Sequence, residues 1–265
     1  MTSPEIITIE ISPDASIELV RIPAGEFTLG SGANAQRLML DEFYIGKYPL
    51  TNEQYSEFLQ DTNHVPPEHW VGRLTPPQNI RTHPVAAVEW RDAQAFVEWL
   101  SDMSGKKIHL PSEAQWEKAA RGPSPSGDNA TSSEDGRIYP WGNTWIDAGE
   151  APVAPRIYIG DDTWVQVRTV AVGSTSPQTD SPYGCADMCC NVWEWCSSAG
   201  RDYPYDPSDG REDLAQRDGV LRVLRGAAFN PLPGTGGKER FDATQRHFAP
   251  PHESRDIYGF RIALG

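Results

Sequence analysis

The chain of 265 residues contains no apolar run long enough to cross a bilayer. Its N-terminus, Met1-Thr2-Ser3-Pro4-Glu5, lacks the basic and apolar regions of a secretion signal, so a cytoplasmic location is expected. Positive charge is scarce: 23 Lys and Arg stand against 37 Asp and Glu, a net charge of −14. A field of that sign repels phosphate backbones and anionic lipid, so neither nucleic acid nor a membrane is expected as a partner. The four cysteines, Cys185, Cys189, Cys190 and Cys196, are confined to one short stretch. A disulfide framework would scatter them, and the pattern fits reduced thiols. Neither glycine-rich phosphate loop (G-x-x-x-x-G-K-[ST] or G-x-G-x-x-G) occurs, nor does a G-x-S-x-G elbow or an H-E-x-x-H pair. The nucleotide, serine-hydrolase and zinc-protease chemistries those motifs support are set aside.

What is present is a loop-rich globular chain. Gly and Pro number 23 each, and nine tryptophans contribute to a hydrophobic content of 38%. That much proline excludes a helix bundle or coiled coil. Ile7, Ile9 and Ile11 alternate with Thr8 and Glu10, and runs at 17–22, 26–30, 43–46, 220–224 and 258–264 also read as short strands. Val165, Val167 and Val170 suggest a hairpin arm. Three helices carry their own start signals. Thr51 and Gln54 form a capping box ahead of Tyr55, Phe58 and Leu59. Ala93, Phe96, Val97 and Leu100 give a helical stripe over about 91–101. Ser112 and Gln115 form a second box, with Gly122 just beyond the end of that helix. Residues 123–136 and the acidic stretch 202–218 read as surface loops. With no internal repeat and no linker, one α+β domain over 1–265 is expected.

Candidate chemistry is sparse at this level. His64 and His69 lie in a proline-rich loop at a spacing that does not converge on a helix face; His247 and His252 sit among polar residues near the C-terminus. Solvated loop histidines account for both pairs. The cysteines lack the two separated C-x₂₋₄-C pairs of a zinc site and read as small buried hydrophobes. Asp187 and Glu194 flank a tight segment whose carboxylates and carbonyls suit a hard cation such as calcium, or else simply cap a turn.

Ordered motifs carry more. They are Phe27-Thr28-Leu29-Gly30, Leu50-Thr51-Asn52-Glu53-Gln54-Tyr55, His83-Pro84-Val85 with Trp90-Arg91-Asp92-Ala93, the run from Leu110 to Gly122, Tyr139-Pro140-Trp141-Gly142, Asn191-Val192-Trp193-Glu194-Trp195, Arg222-Val223-Leu224-Arg225-Gly226 and Gly259-Phe260-Arg261. In this order and spacing the chain resembles the formylglycine-generating-enzyme (sulfatase-modifying factor) superfamily from about residue 18 to 264. The resemblance implies a compact α+β fold of C-type-lectin-like kind with little regular structure. The family's oxidase holds copper with two cysteines five residues apart. The positions here that match them are Pro231 and Gly236, and no cysteine follows Cys196. No copper is therefore expected. The family's iron-dependent relatives take histidines from an additional helical domain that this chain has no room for.

The resemblance is nearest in kind to retroelement-diversified variable proteins. It implies a non-catalytic module, expected as a monomer, that presents a recognition surface within 225–261 to a protein or other ligand. The residues concerned are Phe229, Asn230, Leu232, Thr235, Phe241, Asp242, His247, Phe248, His252, Glu253, Ser254 and Tyr258, framed by Arg225, Arg240, Arg246 and Arg261. Ordinary loop drift would give a similar sequence. The resemblance also implies a structural calcium site at Asp187, Glu194 and the carbonyls of Cys190 and Val192. The alternative is a metal-dependent oxidase or hydroxylase using His247, His252 and Asp242 or Glu253.

Overall fold

The computed structural model describes residues 4–123, 136–146, 157–158, 164–165, 169–189, 191–215, 219–228 and 241–265. Strands β1 (Ile6–Ser12) and β2 (Ala15–Ile22) form an antiparallel hairpin in which Thr8 faces Glu18. Strand β3 (Gly25–Leu29) pairs with β4 (Gln36–Leu40) as a separate ribbon, and β5 (Phe43–Gly46) returns to β2. Helices α1 (Asn52–Thr62) and α2 (Trp90–Ser104) precede the short β6 (Ile108–His109) and α3 (Glu113–Arg121). The pair β7 (Ile157–Tyr158) and β8 (Trp164–Val165) is the expected hairpin arm; Val167 lies outside the described residues.

The second half builds β9 (Trp193–Ala199), β10 (Arg222–Arg225), β11 (Arg246–Ala249), β12 (Tyr258–Gly259) and β13 (Ala263–Leu264). One sheet runs β1-β2-β5-β13-β6 and the other β11-β10-β9-β12, so the last strand of the chain is enclosed between elements from its first half. The architecture is the mixed, low-regularity α+β arrangement that the sequence implies.

Helices α1 and α3 begin where their caps predict. Thr51 and Ser112 accept from the backbone N–H groups of Gln54 and Gln115, and each glutamine side chain accepts in return from the N-cap N–H. Helix α2 extends beyond the apolar stripe to Gly105, whose φ of 67° closes it in the left-handed region that favours glycine. The C-terminal run expected as one strand is two. Residues 260–262 carry the chain from one sheet to the other, sending Phe260 into the aromatic core and Arg261 to Glu194. Tyr55, Phe96 and Phe260 form the centre of that core, with ring centroids 5.6–6.3 Å apart. Three fully buried indoles find acceptors: Trp90 donates to Cys196 O, Trp195 to Val88 O and Trp116 to Glu194 Oε2.

Among the described residues three glutamates are wholly buried, and each meets arginine. Glu113 at the start of α3 accepts from Arg246 and faces Arg211. Glu117, one turn on, pairs with Arg121 and Arg225. Glu194 on β9 is held by both Nε and Nη2 of Arg261 at 2.6 and 2.8 Å. Removing one partner of such a pair strands a charge in a low-dielectric interior, at a cost of about 3–5 kcal/mol. Arg261→Met is expected to cost that much in urea denaturation, and adding Glu194→Gln to recover part of it. A neutral single substitution would show that the pair carries no stability.

Candidate functional site

A concavity among the described residues encloses about 1260 Å³. It is built from segments far apart in sequence: Asn52 at the start of α1, the proline-rich 64–69 loop, 77–80, the 84–92 approach to α2, Thr169, and 254–256 between β11 and β12. The backbone N–H of Ala87 donates to Arg255 O at 3.0 Å, tying two of these walls together. Ala87 holds a φ of 59°, a conformation uncommon for a residue with a Cβ.

Helix α2 sets the electrostatics of one wall. Asp92 Oδ2 accepts from the Glu89 N–H at 2.9 Å, and the Glu89 side chain caps in return. Both carboxylates sit at the positive end of the helix. Asp92 Oδ1 lies 2.8 Å from His64 Nε2, so the loop histidine is fixed against the helix. Burial, and then the neighbouring Asp92 charge, push Glu89 above its ordinary value. On the opposite side His69 Nε2 accepts from the Trp70 indole at 3.1 Å, and burial lowers its pKa against the pull of Asp256. Both properties keep His69 neutral. Asn52 lines the cavity with its Nδ2 held by the carbonyls of Ile80, His83 and Pro84.

The residues expected as a recognition surface divide. Phe229, Asn230, Leu232 and Thr235 lie outside the described residues, as does Arg240. Phe241 and Tyr258 are not exposed: they are 3% and 0% accessible, because Phe241 stacks on Trp145 and Tyr258 packs edge-on against Trp195. Asp242 turns back on its own chain to accept from Thr244 N–H. His247 is half-buried on β11, with Nε2 2.6 Å from the Tyr258 hydroxyl and its ring beside Trp193; burial lowers its pKa. Phe248 stays exposed under the Arg246 guanidinium. His252 and Ser254 are exposed, and half-buried Glu253 pairs with Arg255. Among the described members of the set only Ser254 lines the cavity, beside Arg255 and Asp256. The framing arginines Arg225, Arg246 and Arg261 are partners of the three glutamates, Arg225 and Arg261 fully buried.

Neither metal expectation finds its geometry. Glu194 gives both oxygens to Arg261 and one also to the Trp116 indole, while Asp187 Oδ2 accepts from Gly173 N–H at 2.7 Å. Cys190 lies outside the described residues and Val192 is buried. With Glu194 already neutralised by a guanidinium, the set does not fit a calcium ion. His247, His252, Asp242 and Glu253 likewise do not converge: among the described residues no three metal-ligating side chains do. Cys185, Cys189 and Cys196 are buried free thiols whose pKa values burial raises, Cys185 to about 11, so none is a ready nucleophile. No helix among the described residues is long and apolar enough to cross a membrane.

Two interleaved sheets, three short helices and arginine-locked glutamates define a scaffold of the formylglycine-generating-enzyme and C-type-lectin-like class. A family model for the sulfatase-modifying factor enzyme 1-like domain matches residues 9–265, and the chain belongs to that family. It is 31% identical over 278 residues to the serine/threonine-protein kinase Pkn1 of Chlamydia trachomatis, a match covering 96% of this chain but 39% of that protein. It is 26% identical to the inactive C-alpha-formylglycine-generating enzyme 2 of Bos taurus, covering 97% of this chain and 91% of the relative. Among solved structures, PvdO from Pseudomonas aeruginosa superposes with a TM-score of 0.71 at 22% identity, covering 100% and 99% of the two chains. Treponema denticola variable protein 1 does so at 0.65 and 20%, covering 99% of each.

Asp187 offers a test of the buried electrostatics. Burial lifts its pKa from 3.8 to about 6. Between about pH 4 and 6 the native chain therefore holds a proton that the unfolded chain has released, and stability falls as pH rises through that window. Its φ of 53° suits asparagine as well as aspartate. In calcium-free buffer Asp187→Asn is expected to stabilise the protein by on the order of 1–3 kcal/mol at pH 7, an advantage that disappears near pH 4. Urea melts across this range would show a pH-independent difference if the carboxylate were not desolvated.

Proposed function

We propose that the protein is a non-catalytic ligand-binding module of the sulfatase-modifying factor family, with the cavity between α2 and the 250–257 loop as its binding site. The observation that carries this reading is the combination of a roomy, part-polar concavity with thiols that are all buried among the described residues. Cavities of this size and character take small molecules or peptide side chains. The sequence supplies no thiol pair after Cys196 for the copper route. A relative alike along nearly its whole length is itself named inactive, and a variable protein shares the fold. In this reading the 250–257 loop, part of the expected recognition surface, borders the ligand, and the rigid core behind β9 and β10 holds it in place.

A second reading, oxygen chemistry on a peptide or small molecule, draws on 28% identity to the hercynine oxygenase of Mycolicibacterium smegmatis over 81% of this chain. Two measurements separate the readings. A fragment screen followed by NMR is expected to shift the Trp70 indole and the His64 and His69 ring signals. The copper- or iron-loaded protein, given a cysteine-containing peptide and oxygen, is expected to return the peptide unchanged. Turnover would overturn the non-catalytic reading, and shifts confined to other surfaces would move the site.

A further inference from the structure

The sheet β1-β2-β5-β13-β6 ends on one side in β6, of two residues, and on the other in β1, of seven. Strand β1 is the longest edge strand among the described residues. The hydrogen bond from Arg21 N–H to Glu5 O fixes which of its groups point where. With Ile6 opposite Val20, the bonded pairs of the hairpin are Glu5 with Arg21, Ile7 with Leu19 and Ile9 with Ile17. The N–H and C=O groups of Ile6, Thr8 and Glu10 therefore point away from β2, and all three residues are exposed. Natural edge strands are protected by lysine, proline, a bulge or brevity. Between Ile6 and Glu10 there is no lysine and no proline, and one charge, while the break in register comes only after Glu10.

This edge is complementary to itself. A second copy, antiparallel and related by a two-fold axis at Thr8, sets Thr8 against the partner's Thr8 and Ile6 against the partner's Glu10. Each such pair exchanges two main-chain bonds, about six in all. Ile7 then meets the partner's Ile9 in the close, non-bonded position, on the face that already packs against the core. The neighbouring axes fail. One at Ile6 puts Pro4, which has no N–H, in a bonded position. One at Glu10 sets carboxylate against carboxylate and runs into the bulge. Proline, bulge and charge thus agree on a single self-pairing register, a constraint that pairing with an unrelated segment would not impose.

We infer that two copies of this chain associate through antiparallel pairing of β1, with the axis at Thr8, so that one sheet continues across the dimer. A strand of seven residues spans about 23 Å, which places the interface at the small end of the specific range, and the dimer forms and dissociates with concentration. The monomer expected from the resemblance is the dilute form. A net charge of −14 on each copy opposes association, and salt screens it. No residue of β1 lines the cavity, so the pairing stands or falls apart from the binding site.

Sedimentation velocity of the full chain from micromolar to millimolar concentration is expected to show monomer passing into dimer, with the dimer favoured as salt is raised. Hydrogen exchange followed by NMR gives the signature of the edge. The N–H groups of Ile6, Thr8 and Glu10 are expected to gain protection with concentration, while those of Ile7 and Ile9, bonded within the hairpin, are protected throughout. Thr8→Pro removes the N–H at the axis, which the hairpin does not use, and Thr8→Lys brings two like charges together there; each is expected to weaken the dimer at least about tenfold. Both variants are expected to keep the circular-dichroism spectrum of the parent, and Thr8→Lys carries the test if the proline variant does not fold. A chain still monomeric at millimolar concentration and high salt would overturn the inference. So would a dimer that the folded variants retain, or one in which Ile6, Thr8 and Glu10 stay unprotected. Each of these results leaves the cavity a binding site.

Discussion

Helix α3 is short, and yet the two halves of the molecule meet on it through charge. Its Glu113 and Glu117 reach into an interior from which water is excluded, and the arginines that neutralise them come from the loop before β10, from β10 and from β11. Glu194 repeats the arrangement one layer away, with Arg261 from the chain end and the α3 residue Trp116 sharing its carboxylate. A pair of this kind is stable only when every oxygen and N–H finds a partner. That requirement fixes where the late strands sit relative to an early helix. Regular structure is too sparse to do so alone, since β12 and β13 contribute two residues each.

The aromatic core is the complementary constraint. Tyr55, Phe96 and Phe260 pack at the junction of α1, α2 and the crossover between the sheets, so burying their rings also places the N-termini of both helices. Asn52 and Asp92 belong to those first turns. The cavity is thus lined on one side by groups whose positions the core dictates, and on the other by loop residues that the core leaves to backbone hydrogen bonding.

Much of this was legible in the sequence, for reasons that can be named. Helices α1 and α3 were readable because Thr51 and Gln54, and Ser112 and Gln115, encode their boundaries in side chains three positions apart. The arginines that interrupt the C-terminal region stood out as a frame, and three of them fill that role. Strand β11 was not readable: Arg246, His247, Phe248 and Ala249 lack alternation because one neighbour binds Glu113 and another contacts Tyr258. Phe241 and Tyr258 looked like exposed recognition residues, but large rings next to Ala243 and Ile257 are drawn inward. The cavity was the least legible feature. Its walls come from segments up to two hundred positions apart, and His64 and His69 acquire meaning only from Asp92 and Trp70, which no local spacing announces.

The 250–257 loop is held by four main-chain bonds. Glu253 N–H donates to Pro250 O, Tyr258 N–H and Ala87 N–H to Arg255 O, and Trp193 N–H to Ile257 O. The path of this segment therefore depends little on the side chains it carries at 252–256. A scaffold of that design can exchange those five side chains as a cassette, changing what the protein meets at its rim without disturbing the arginine-locked interior that keeps the rim in place.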